Sequence, residues 1–234
     1  MADKKIEKNK LHFRVIRFLT ESALKLHMKS PTLATAAAVY HTFFRECETE
    51  DYDPYLIATT ALYLAGKVEE DHMKLRDVIN VCYRTLHTDQ PGLEIGEKYW
   101  AMRDSVVQCE LFVMRMLKFT VKFDHPHKYM LHYLKSVCDW MEPSISKRIP
   151  IAKFAWGILR DSYHGPICLK YRPEHIAIAV IYFTLQLYGM EVPFSDEAEY
   201  RWWEVLSEDA TEDELKGISS DILDIYELES SLQT

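Results

Sequence analysis

Few side chains in this sequence of 234 residues have the types and spacing that catalysis or metal binding requires. The ten histidines form no His-Glu-x-x-His pattern, and the five cysteines include no Cys-x-x-Cys pair, so we expect no metal site and no disulfide framework. A glycine-rich phosphate loop and a Gly-x-Ser-x-Gly turn are absent as well. These patterns favour a binding protein without cofactors over an all-helical enzyme, which should show acids or nucleophiles grouped in a cleft.

One carboxylate stands out by its surroundings. Glu110 falls on an apolar helical stripe made of Val106, Val107, Val113, Met114 and Leu117. If Glu110 is buried there, its charge needs a hydrogen-bonding partner, because an unpaired buried carboxylate is strongly destabilising. Its chemistry would then be recognition through charge-assisted hydrogen bonds. The simpler interpretation is a solvated glutamate at the edge of the stripe.

The elements that position this residue are predicted to be helices. Apolar residues recur at helical spacing over residues 11–26, and strand-like alternation is nearly absent. Ser30-Pro31 and Asp53-Pro54 each place a capping residue before a proline, which predicts two helix starts. Further helices are predicted over residues 75–82 and 97–119, giving five in the first half.

The second half repeats the first at an offset of 119 residues, which indicates a duplicated domain. The matching pairs are Pro31 and Pro150, Ala36 and Ala155, Pro54 and Pro173, Ala58 and Ala177, and Tyr63 and Tyr182. We therefore predict an all-α fold of two tandem five-helix domains, over residues 11–122 and 126–229. A short polar tail over residues 1–10 and a second over 230–234 complete the expected organisation.

Two segments resemble the cyclin family. Residues 56–70, LIATTALYLAGKVEE, are similar to the third helix of a cyclin box, whose signature is an alanine-rich run ending in A-x-K-x-E-E. Residues 110–119, ELFVMRMLKF, resemble the fifth helix of that box. With the duplication, the whole chain resembles a protein of two cyclin boxes. The Lys29-Ser30-Pro31 entry to the second helix is similar to that of transcription-associated cyclins.

The resemblance implies an activating regulatory subunit that binds the C helix of a cyclin-dependent kinase as a heterodimer and contributes no catalytic group. It implies that Lys67 and Glu110 pair beside that helix, and that Glu70 lies nearer the rim. The apolar anchors that it implies are Met114, Leu117 and Phe119. From spacing alone, Lys67 could equally be a cation favoured by the dipole at a helix C-terminus. Gln186 holds the matching position in the second half, so the first half carries something that the second does not need.

The alternative function is a cyclin-fold transcription adaptor of the TFIIB type, which contacts DNA. Such proteins need basic surfaces and usually a zinc ribbon. This chain has a formal charge of −8, and fourteen Asp or Glu against Arg201 and Lys216 follow residue 190. We therefore expect a protein partner and no direct contact with nucleic acid.

The remaining patterns concern location and the paired tryptophans. The first ten residues are polar, no Asn-x-Ser/Thr site occurs, and the longest apolar run, residues 175–190, is shorter than a membrane span of ~20 residues. We expect a protein of the nucleus and cytoplasm that does not enter a membrane. Trp202 and Trp203 are predicted to be core residues rather than a docking surface.

Overall fold

The computed structural model describes residues 2–142, 150–194 and 199–233, and within these ranges the regular structure is entirely helical. The chain divides into two compact units, residues 1–123 and residues 124–234. The predicted all-α fold class is confirmed.

The first unit contains five helices, of which the third is central. They are α1 (Ala2–Lys25), α2 (Ser30–Glu46), α3 (Pro54–Val68), α4 (Leu75–Leu86) and α5 (Glu97–Met116). Helix α3 packs against each of the other four. Its small residues Ala58, Ala61 and Ala65 have no solvent exposure, and they let the neighbouring backbones approach closely.

The starts of α2 and α3 follow from different capping groups. Asp53 caps α3 as predicted: its side chain accepts a hydrogen bond of 2.9 Å from the Tyr55 backbone N–H. The predicted cap at Ser30 is wrong, because Lys29 holds the N-cap position and its side chain makes no capping bond. Instead Asp71, from the loop after α3, accepts a bond of 2.9 Å from the Lys29 N–H. A distant residue therefore caps α2.

The chain ends differ from the prediction. Helix α1 begins at Ala2, so residues 2–10 are helical and do not form the expected tail. This polar stretch is fastened by ion pairs, Lys8 to Glu48 at 2.7 Å and Lys10 to Glu7 at 3.5 Å, and apolar periodicity cannot detect such contacts. The last helix likewise runs beyond residue 229, to Gln233.

The second unit is built around a counterpart of α3. Its helices in the described ranges are α6 (Pro126–Trp140), α7 (Ile151–Ser162), α8 (Ile167–Lys170), α9 (Pro173–Leu187), α10 (Trp202–Leu206) and α11 (Glu212–Gln233). Helix α9 packs against α6, α7 and α11 and is buried along most of its length. Helices α3 and α9 have 15 residues each and begin and end 119 residues apart, so the two central helices keep the offset of the sequence repeat.

The paired tryptophans differ in exposure. Trp203 is buried, and its ring meets Tyr182 edge-on at 5.7 Å between centroids, as expected of a core residue. Trp202 packs edge-on against Trp203 at 5.6 Å and is partly exposed.

Two general properties concern the described ranges only. No helix there combines the length and the apolar character that crossing a membrane requires. Across the same part of the chain, no three side chains of His, Cys, Asp or Glu lie together in a way that could hold a metal ion.

Candidate functional site

The central feature of the first unit's surface is an ion pair between α3 and α5. Lys67 lies in the last turn of α3, and its Nζ donates to Glu110 of α5 at 2.7 Å to Oε1 and 2.9 Å to Oε2. The Glu110 side chain is 12% exposed, whereas that of Lys67 is 47% exposed. Glu110 is therefore not a solvated residue. Its carboxylate is covered by the protein, and the ammonium faces outward.

The Lys67 ammonium lies over the ring of Tyr63. Lys67 Nζ lies 4.2 Å from the centroid of that ring, an arrangement that favours the cation. Tyr63 itself packs against the buried cluster of Ile79, Tyr99 and Val106. Burial alone would lower the pKa of Lys67, but the hydrogen bonds and charge of Glu110, together with Tyr63, outweigh it and raise the pKa. Lys67 is therefore a fixed positive charge at neutral pH.

Glu70 lies just past α3 in an unusual backbone conformation. Its φ is +53°, and the following N–H, of Asp71, bonds to the Gly66 carbonyl at 2.9 Å, which is the pattern of a Schellman helix end. Glycine is the usual residue at such a position, because a Cβ is strained there. In the second unit Gly189 holds this position with φ +59°, 119 residues later. The Glu70 side chain is exposed.

The three expected apolar anchors have different environments. Phe119 is 63% exposed and Met114 is partly exposed, so both are available to a partner. Leu117 is only 5% exposed and belongs to the core of its own unit, so the free chain offers little of its side chain to a partner. The turn is strained: Lys118 and Phe119 have φ of +51° and +60°, and the Phe119 N–H bonds to the Met114 carbonyl at 2.8 Å.

The loop after α3 is fastened to α2 by side chains that sequence reasoning missed. Thr35 donates to Glu69 at 2.6 Å, and Thr32 donates to Asp71 at 2.9 Å. These bonds flank Glu70 on both sides and hold the end of α3 in place. The available signal was the run of three acids directly after α3, residues 69–71, together with two threonines, three residues apart, in the first turns of α2.

This arrangement is suited to recognition. It offers a fixed ammonium, an exposed acid on a strained turn and an exposed phenylalanine, all on a rigid helical surface. Polar groups of this kind orient a partner, while a neighbouring apolar side chain supplies buried area.

Comparison with known proteins shows the family. The model of the cyclin N-terminal domain matches residues 1–122, which is more than half of the chain. The chain belongs to the cyclin family.

Among curated relatives, Cyclin-K of Homo sapiens is 29% identical over 212 residues, covering 90% of this chain and 35% of its own length. Cyclin-T1-2 of Arabidopsis thaliana is 33% identical over 213 residues, covering 90% of this chain and 44% of its own. Cyclin pch1 of Schizosaccharomyces pombe is 27% identical and is covered over 59% of its length. The chain therefore spans about a third to three fifths of these relatives.

Solved structures show the same fold. A chain of the yeast RNA Pol II CTD kinase CTDK-1 complex matches with a TM-score of 0.72 and 20% identity, over 94% of this chain and 66% of that chain. A chain of the CAK complex from Chaetomium thermophilum, bound to ATP-gamma-S, matches with a TM-score of 0.66 and 15% identity, over 98% of this chain and 64% of that chain.

Proposed function

We propose that this protein is an activating regulatory subunit of a cyclin-dependent kinase, and that it binds the kinase's C helix and stabilises the active conformation. The observation that carries the proposal is the Lys67–Glu110 pair, with its carboxylate covered and its ammonium exposed at the end of the motif A-x-K-x-E-E. The family membership and the fold shared with chains of kinase complexes support it.

The mechanism is a shift of population. A protein kinase is active when its catalytic lysine pairs with a glutamate of the C helix and its activation loop is in place. A surface that binds only the conformation with this helix turned inward favours the active kinase by the free energy of that binding. The cyclin supplies no catalytic group. It supplies a rigid surface, made by the end of α3 and by α5.

We further propose that the two units are the two cyclin boxes, over residues 11–122 and 126–229, and that only the first binds the kinase. The second unit has Gln186 in the place of Lys67 and Gly189 in the place of Glu70. It thus keeps the scaffold without the lysine of the charged pair and without the acid that follows the third helix of the first unit.

The sequence also resembles one member of the family, cyclin Q, which is also called cyclin M. This resemblance implies cyclin-dependent kinase 10 as the partner in a heterodimer. It implies a role in transcription or the cell cycle, in the nucleus and cytoplasm.

The proposal is tested by capture of purified cyclin-dependent kinases, kinase 10 among them, on the immobilised chain. We expect Lys67→Ala and Glu110→Ala each to lose about 2 to 5 kcal/mol of binding, as truncation of one partner of a covered charged pair does. Gln186→Ala, at the matching position of α9, should bind as the wild type does. Circular dichroism should show that all three variants remain folded.

Kinase activity is the second measurement. The chain alone should phosphorylate nothing, and adding it should raise the activity of the kinase that it captures. The proposal is wrong if both variants of the pair bind the kinase as tightly as the wild type.

A further inference from the structure

The segment before the last helix carries a sequence pattern that the proposed kinase site leaves unused. A serine or threonine followed by an acid three residues later occurs at two places in the sequence, residues 136–139 and residues 211–214. In the second, TEDE, every residue after Thr211 is acidic. Protein kinases select their substrates partly by the charges around the target hydroxyl. Acids in these positions are what an acidophilic kinase recognises.

The structure distinguishes the two hydroxyls. Ser136 lies inside α6, and its hydroxyl donates to the carbonyl of His132, one turn earlier, at 3.5 Å. Thr211 is exposed and lies between α10 and α11, directly before the first turn of α11. A helix end opens much more easily than a helix interior. The active site of another protein can therefore reach Thr211 at a smaller cost in structure than Ser136.

Helix capping uses only part of the pattern at Thr211. Its Oγ1 accepts a bond of 3.3 Å from the Glu214 N–H, which is longer than most hydrogen bonds of this kind. In a full capping box the Glu214 carboxylate would also return to the Thr211 N–H. Here that carboxylate turns to the buried His175 of α9, with 3.0 Å between Oε1 and Nδ1. The threonine hydroxyl is therefore only loosely engaged.

Positive charges lie around this segment. Arg172 bonds to Asp209 at 2.9 Å, and Lys216 bonds to Glu212 at 2.7 Å. The bond from Lys216, with a smaller contribution from the charge of Arg201, lowers the pKa of Glu212. Arg201 and Lys216 are the only Arg or Lys after residue 190 in the sequence, and both act at the start of α11. Phosphate groups pair strongly with such cations.

We propose that Thr211 is a phosphorylation site for an acidophilic serine/threonine kinase. The bond between the γ-phosphorus of ATP and the bridging oxygen breaks, and a bond from that phosphorus to Thr211 Oγ1 forms. ADP leaves, and the hydroxyl proton passes to the catalytic aspartate of the modifying kinase. The product carries a charge of about −2 at the N-terminus of α11. This inference does not depend on the function proposed for the first unit.

The phosphate should hold the first turn of α11 more firmly. Negative charge is favoured at the positive end of a helix, and Arg172 and Arg201 can pair with the phosphate oxygens. Repulsion from the exposed Glu212 and Asp213 opposes this effect, but salt and water screen it. We therefore expect hydrogen exchange at the amides of residues 212–215 to become slower after phosphorylation.

The test uses the full folded chain, ATP and casein kinase 2 as the acidophilic probe. We expect phosphate on Thr211, located by mass spectrometry of peptides, and its loss in Thr211→Ala. Glu214→Gln should slow incorporation about 10-fold, as removal of one close charge contact does. Ser136→Ala is the matched control and should be phosphorylated as the wild type is. Circular dichroism should show that the three variants are folded.

Other results would overturn the inference. A wild-type chain that takes up no phosphate, or a Thr211→Ala variant that takes up as much as the wild type, would show that Thr211 is not the target. Incorporation at Ser136 alone would mean that exposure does not decide between the two patterns. Faster exchange in the first turn of α11 after phosphorylation would contradict the proposed effect on the helix and would assign the larger effect to repulsion among the acids.

Discussion

Glu70 occupies a backbone position that glycine fills more easily. A side chain in the left-handed region costs about 1 to 2 kcal/mol, whereas glycine there loses only the extra entropy of its unfolded state, about 0.4 to 1 kcal/mol. The second unit places Gly189 at this point, with nearly the same φ. The first unit is thus less stable with Glu70 than it would be with glycine at this position. What the glutamate adds is an exposed carboxylate.

We therefore expect Glu70→Gly to raise the free energy of unfolding by about 0.5 to 1 kcal/mol and at the same time to weaken kinase binding. The reverse change in the repeat, Gly189→Glu, should lower stability by a similar amount and leave binding unchanged. Among the described residues, and apart from the chain immediately around Gly189, no atom lies within 4 Å of the position where a Cβ would stand, so strain of the backbone is the main cost. Urea unfolding and a binding titration give both quantities.

A loss of stability in Glu70→Gly would contradict this account, because it would mean that the side chain contributes to the fold. Unchanged kinase binding would remove Glu70 from the interface but leave the strain argument intact.

At the scale of single residues, the sequence predicted the charged site better than it predicted which apolar side chains are exposed. Glu110 was conspicuous because a carboxylate on an apolar stripe requires an explanation, and the structure provides it in Lys67. Leu117 lies seven residues after Glu110, two helical turns on along the same face, yet it is buried whereas Met114 is partly exposed. Spacing alone cannot show where along that face the core ends and the surface begins.

At the scale of elements, the N-terminus of α2 depends on a residue from the loop after α3. Asp71 accepts hydrogen bonds from the Lys29 N–H and the Thr32 hydroxyl, which places a negative charge at the positive end of the helix. These bonds, led by that from the Lys29 N–H, lower the pKa of Asp71. The two helices and the loop that carries Glu70 are thereby tied into one assembly.

We expect Asp71→Ala to destabilise the first unit by about 1 to 2 kcal/mol, the upper part of the range for lost helix caps. Asp89→Ala is the control, since Asp89 is an exposed carboxylate in the loop before α5. Because its folded pKa is lowered, Asp71 contributes its stability above the ordinary pKa near 4 and loses it as the pH falls through the folded value. Urea unfolding at pH 7 and pH 3 should show a difference between the variants that shrinks in acid.

Equal stability of the two variants at pH 7 would show that water replaces Asp71 at the helix end without loss.

The starts of the central helices could be predicted from prolines. Pro54 and Pro173 mark the starts of α3 and α9, and both of these helices begin where the pattern indicates. The first turns of α1 could not be predicted, because residues 2–10 are polar and carry no apolar periodicity. The cap of α2 could not be predicted either, since Asp71 lies 42 residues after Lys29 and approaches it only in the fold.

At the scale of the whole molecule, both units contain histidines that are shielded from solvent: His127 is buried, and His12 and His125 are partly buried. His12 in the first unit contacts the Tyr40 hydroxyl at 2.9 Å, and His125 in the second contacts that of Tyr163 at 3.0 Å. His127 stacks on Tyr163, and its Nδ1 is buried without a hydrogen-bond partner among the described atoms. Burial lowers the pKa of each of these three histidines from 6.5 to about 4. A neighbouring side chain adds to this effect at His12 and His127, whereas the charge of Asp124 opposes it at His125.

These lowered values make the fold sensitive to acid. Between pH 6.5 and pH 4 the unfolded chain binds protons at these histidines that the folded chain excludes. Stability therefore rises with pH across this window and is lost as the pH falls, whereas above pH 6.5 the three side chains are neutral in both states. Urea unfolding at pH 7.5, 6.5, 5.5 and 4.5 should show the steepest loss between the last three values.

A single substitution can show how much of this loss of stability is due to His127. His127→Phe replaces the imidazole by a ring of similar shape that takes up no proton, so the variant should lose less stability between pH 6.5 and pH 4.5 than the wild type does. His132→Phe is the control, because His132 is exposed on the same helix, α6, and its substitution should leave the slope unchanged. If His127→Phe follows the wild-type curve, the buried imidazole does not titrate on unfolding in this window. The acid sensitivity would then belong to the other histidines with a lowered pKa, which are His12, His125 and His164.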